Sequence, residues 1–183
     1  MRTGKSNGAA RVALCGVFGA LALALMLMGG ILPAATFAAP AFAGILIMPA
    51  AVEFGVRTGA LLYAAIGILA LFAVPDKEMA LIFLFFLGYY PLVKIYLERI
   101  RPRTARWAAK LALFNVCVFA MYWLILAVFP LPEVAQEYAE MGRAFLAALI
   151  VLANVTFVLY DVAVARLVGL YCAKLRPRLL HRP

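Results

Sequence analysis

VALCGVFGALALALMLMGGILPAATFAAPAFAGILIMPAAV, residues Val12 to Val52, carries no charged side chain. A bilayer core about 30 Å thick is crossed by about 20 apolar residues of helix. This run is about twice that length, and Gly29-Gly30 and Pro33 punctuate its middle, so it reads as two crossings. Further apolar stretches follow it to Val168, separated by turn and charge signals. Of the 183 residues, 68% are hydrophobic and 14% charged. That balance predicts a single all-α domain over 1–183, a polytopic membrane helix bundle with no separate soluble part.

Six crossings are expected, at about 12–32, 34–52, 58–74, 79–97, 111–129 and 143–168. The second contains Pro40 and Pro49 and is rich in alanine, so a re-entrant segment with five crossings is the competing count. Charge placement separates the two. Cytoplasmic loops collect Lys and Arg. With six crossings and both ends inside, every one of the 17 basic residues except Lys77 and Arg143 falls on the cytoplasmic side. Five crossings would put the basic N-terminus and the arginine-dense stretch Glu98–Lys110 on opposite faces, so six is preferred. The formal charge of +9 is thereby an orientation signal, and no nucleic acid is expected as a partner. The apolar part of the N-terminus is too long for a signal peptide and is expected to be a retained first helix.

The Glu98–Lys110 stretch is read as a cytoplasmic loop resting on anionic lipid headgroups, with Trp107 as its interfacial aromatic. On the other side, the acidic segment Pro130–Gly142 repeats Val134, Tyr138 and Met141 at helical spacing, which predicts a short amphipathic helix over the outer mouth.

Chemistry-bearing residues are few. His181 is the only histidine, and Cys15, Cys117 and Cys172 have no CxxC spacing, so neither a metal nor a cofactor is implied. No HExxH, GxSxG or phosphate-binding P-loop occurs; no catalytic residue is assigned, and any ATP-driven role needs a motor on another chain. Asn115 with Tyr122, and Asn154 with Asp161, lie seven apart on helical faces. Lys94 is within reach of Glu98, and Asp161 of Arg166 or Arg57. On the outer side Thr36, Asp76, Lys77, Glu78, Tyr122 and Trp123, with Asn154 nearer mid-membrane, are candidate contacts for a small solute. Each also has an ordinary role as helix cap, interface anchor or interhelical hydrogen bond.

Helix 1 carries Ala9, Ala13, Gly16, Ala20 and Ala24 on neighbouring strips. Small residues at this spacing let helix backbones approach closely in lipid, either inside the bundle or against another membrane protein. The entry Arg11-Val-Ala-Leu14, the Gly16/Ala20/Ala24 strip, the proline-punctuated Pro33–Pro49 stretch and the helix plan together resemble the S components of energy-coupling factor (ECF) vitamin transporters. The resemblance implies a six-helix protein of the bacterial inner (cell) membrane that binds a vitamin-like solute from outside. It also implies docking, through the first helix, on a transmembrane coupling subunit that carries two ATPases. No residue pattern matches a particular vitamin. Two other functions fit the same residues: a small membrane scaffold without a solute, and an intramembrane lipid-modifying enzyme using Asp161.

Overall fold

The computed structural model describes residues 3–31, 35–127 and 142–175, and these are helical with no strand among them. In chain order the helices are α1 (Thr3–Gly29), α2 (Ala38–Leu46), α3 (Met48–Phe54), α4 (Val56–Ala73), α5 (Lys77–Ile82), α6 (Tyr90–Leu97), α7 (Arg103–Ala127) and α8 (Arg143–Leu170). One π-helical turn, Phe83–Leu87, follows α5, and a second, Tyr171–Leu175, follows α8. Among the described residues five stretches are long and apolar enough to cross a membrane: Gly8–Gly29, Val56–Ala73, Lys77–Leu97, Arg103–Leu124 and Phe145–Lys174. The chain divides into two compact units, Met1–Tyr96 with Val164–Pro183, and Leu97–Ala163.

In the first unit α1 packs on α2 and α4, and α3 packs on α4. Ala22, Met26, Ala39, Ala43, Ile47, Ile66, Ala70 and Met79 form its core. The predicted second crossing is two short helices, α2 and α3, rather than one continuous helix. Pro40 does not cause the break. It sits in the first turn of α2, where its missing N–H has no intrahelical partner to serve. Pro49, at the start of α3, is the breaker. A proline there would strip a donor from Ile45 and collide with its carbonyl, so the helix ends at Leu46 and restarts. Gly55 then turns the chain into α4 at a φ of 91°, a conformation that a Cβ would disfavour.

Lys77–Leu97, expected as one helix from residue 79, is interrupted ahead of Pro91. The Gly88 N–H donates to the carbonyl of Phe83 at 2.8 Å, one residue further back than in an α-helix. Leu84 thereby loses the donor that Gly88 would otherwise supply. The Tyr63 hydroxyl of α4 donates to that Leu84 carbonyl instead, and its ring lies 5.8 Å from that of Phe83. This stretch is the most enclosed of the five: 56% of its central window is buried, against 17% or 22% in the others.

In the second unit α7 and the first part of α8 run antiparallel. Phe114 and Phe157 stack with ring centroids 4.8 Å apart. Further towards the N-terminal end of α7, Lys110 meets Asp161, and further towards its other end Asn115 meets Asn154. The helix begins at Arg103 rather than Leu111, so much of the expected arginine-rich loop is helical. Charge marks where a helix leaves the apolar layer, not where its backbone stops. α1 likewise starts at Thr3, ahead of Val12, and ends at Gly29, and α8 runs on to Leu170. The predicted helix over Pro130–Gly142 lies in a stretch, 128–141, outside the described residues.

Candidate functional site

The first unit gathers four of the predicted solute contacts at one helix end. Pro75 closes α4: Val74 before it is extended, as a residue preceding proline prefers. Asp76 is then the N-cap of α5, its Oδ1 accepting the Met79 N–H at 3.0 Å, which satisfies one of the orphan donors of a helix start. Its Oδ2 accepts the Thr36 hydroxyl at 3.0 Å. Lys77 turns back, donating to the carbonyls of Leu71 and Val74, each at 2.9 Å, and so caps the end of α4 with a positive charge. Glu78 sits beside them in the first turn of α5, half-buried. Thr36 and Asp76 are thus joined to each other at the start of α5, while Lys77 is held separately on the end of α4, its side chain still exposed.

The other predicted contacts lie in the second unit. Trp123 is 60% exposed on α7, and Tyr122 beside it is half-buried. Asn154 pairs with Asn115: Asn115 Nδ2 donates to Asn154 Oδ1 at 2.9 Å, and Asn154 Nδ2 returns a bond to Asn115 Oδ1 at 3.2 Å. Each amide also donates to the carbonyl four residues back in its own helix, Leu111 and Ile150, at 2.8 Å. Both N–H pairs are therefore used. Interhelical bonds of this kind in membrane proteins are worth about 0.6–2 kcal/mol. Asn154→Ala is accordingly expected to lower stability by about that amount, measured by SDS-induced unfolding; an unchanged midpoint would mean the pair does not hold α7 to α8.

The small-residue strip is placed clearly. Ala9, Ala13, Gly16, Ala20 and Ala24 are all exposed. At 100° per residue they fall in an arc of about 80° on α1. Ala22, Met26 and Gly29, which pack into the core, lie on the other side of the helix. Nothing stands within 4 Å of where a Gly16 side chain would begin. The strip is thus no part of the first unit's core.

An ionic cluster was missed at the level of sequence. Lys110, 1% exposed, donates to both oxygens of Asp161, 4% exposed, at 3.0 Å each. It also meets Glu98 Oε1 at 2.6 Å, while Arg106 contacts Glu98 Oε2 at 3.3 Å. The Lys110 ammonium lies 4.9 Å from the Trp107 ring centroid, within cation–π range. Within the second unit Lys110 is the partner of Asp161. Had α7 been extended to Arg103, the spacing Lys110, Phe114, Met121 would have placed Lys110 on its buried face.

These features define the class: the described residues are all helical and include five helices long and apolar enough to span a membrane, as an integral membrane protein has. Comparison with protein families, curated proteins and solved structures finds no match for the chain.

Proposed function

We propose that this protein is the solute-binding membrane subunit of an ATP-driven uptake transporter of the ECF type, taking up a vitamin-like or other small micronutrient. The observation that carries the reading is the outward strip Ala9, Ala13, Gly16, Ala20 and Ala24 on α1, set apart from the helix face that builds the core. A strip without side-chain bulk suits close docking of another membrane helix, here that of a coupling subunit with two ATPases. The short helices α2 and α3 together span Ala38–Phe54, about 25 Å of helix at 1.5 Å per residue. We take them as a sixth, broken crossing, which leaves both termini and most of the basic residues on the cytoplasmic side of the cell membrane.

In this orientation the Thr36, Asp76, Lys77 and Glu78 group of the first unit faces outward and supplies polar contacts to the solute. Tyr122 and Trp123 on α7 and Asn154, which is held by Asn115, belong to the second unit and are not assigned to that group of contacts. The scarcity of other polar groups favours a partly apolar solute. No residue is assigned a catalytic role. Asp161, tied through both oxygens to Lys110, has the environment of a structural ion pair, which weighs against a lipid-modifying reaction.

Gly16→Leu with Ala20→Leu tests the docking. Both positions are exposed, so the double variant is expected to fold and to keep its solute, detected by mass spectrometry of small molecules released from the purified chain. Co-purification with a co-expressed coupling subunit is expected to be lost. Retained co-purification would remove the docking role, and a parent chain that releases no small molecule would favour a scaffold instead.

A further inference from the structure

The turn that leads into α7 carries a net positive charge that the solute-binding reading does not use. Residues 97–110 read LERIRPRTARWAAK, with Glu98 as the one acid among five bases. Both oxygens of Glu98 are already engaged. One of its oxygens is held by Lys110 at 2.6 Å and the other by Arg106 at 3.3 Å. With Asp161 on Lys110, two acids and two bases cancel within that cluster. Arg99, Arg101 and Arg103 are exposed, and of these Arg101 and Arg103 form no hydrogen bond or ion pair among the described residues.

The position of these arginines identifies what they meet. The turn follows directly on the span Lys77–Leu97 and precedes the span Arg103–Leu124, so it emerges where lipid phosphates lie. Trp107, half-buried one turn into α7, is the residue type enriched at that depth. A guanidinium presents a planar fork of donors that matches a phosphate. A basic side chain near an anionic bilayer surface gains attraction from it, and this falls away within a Debye length.

We propose that Arg101 and Arg103, flanked by Arg99 and Trp107, form a headgroup site for an anionic phospholipid. The ionic cluster borders this site and engages both oxygens of Glu98 with Lys110 and Arg106. The proposal needs only that these helices cross a membrane and stands apart from the identity of any solute.

Reconstitution of the full chain into phosphatidylcholine vesicles tests it. Quenching of tryptophan fluorescence by increasing mole fractions of dibrominated phosphatidylglycerol is compared with quenching by dibrominated phosphatidylcholine. A Trp107→Phe chain supplies the Trp123 background. Trp107 in the parent chain is expected to be quenched at a lower mole fraction of phosphatidylglycerol than of phosphatidylcholine. Arg101→Gln with Arg103→Gln is expected to reduce that preference roughly ten-fold or more, and Arg101→Lys with Arg103→Lys to keep part of it. Equal quenching by the two lipids in the parent chain would overturn the site and leave the arginines to an acidic protein partner. Undiminished preference in the glutamine variant would overturn it equally.

Discussion

Lys110→Met is expected to destabilise the protein by about 3–5 kcal/mol, the usual consequence of stripping one partner from a buried ion pair. Methionine keeps much of the apolar stem of lysine but none of its donors. Asp161, 4% exposed, then has a carboxylate whose two oxygens have lost the ammonium that held them at 3.0 Å. Glu98 suffers less, because it is more exposed and keeps Arg106. The pair as a whole need not be worth much, since two buried charges give up their hydration to form it. Lys110→Met combined with Asp161→Leu is therefore expected to recover most of the loss. SDS titration of the full chain followed by circular dichroism reads both variants. A single variant within about 1 kcal/mol of the parent would show that Asp161 is adequately solvated without Lys110.

The second large effect concerns two glycines on one helix. A Cβ on Gly29 would collide with the Cβ of Ala39 and stand 3.2 Å from Cε of Met79. The methionine can rotate away, but the alanine Cβ is fixed to its backbone, so α1 and α2 would have to separate. Gly29→Ala is expected to cost about 1–3 kcal/mol, the range for overfilling a packed interior. Gly16 lies on the open face, with nothing within 4 Å. Gly16→Ala removes backbone freedom from the unfolded chain and is expected to raise stability by up to about 1 kcal/mol. Opposite signs from the same substitution, read as shifts in the thermal unfolding midpoint in detergent, are the expected result. A neutral Gly29→Ala would mean that α1 and α2 do not approach as closely as the Ala39 contact requires.

Much of the helical layout is legible along the chain because membrane crossing depends on local apolar length. The stretches near α1, α4, α7 and α8 could be located from charge-free runs and turn residues alone. Helix ends were less legible. Arg103 and Arg106 continue α7 although a charge count would stop it at Leu111, since a helix persists after leaving the lipid. Proline was ambiguous for a related reason: Pro40 begins a helix and Pro49 breaks one, and only the surrounding backbone distinguishes those cases. The candidate contacts divide in the same way. Asp76 after Pro75 is a readable cap, whereas its bond to Thr36 joins residues 40 apart.

The amino-acid order by itself determined that the chain is helical and apolar enough for a membrane, and that α1 carries small residues along one face. Only the tertiary structure decided that this face points away from the core, that Asn154 is spent on Asn115, and that Asp161 finds Lys110 across 51 residues. Hydropathy and helical spacing are properties of neighbours along a chain. Burial and ion pairing depend on which helix faces meet, which is settled only when the side chains pack.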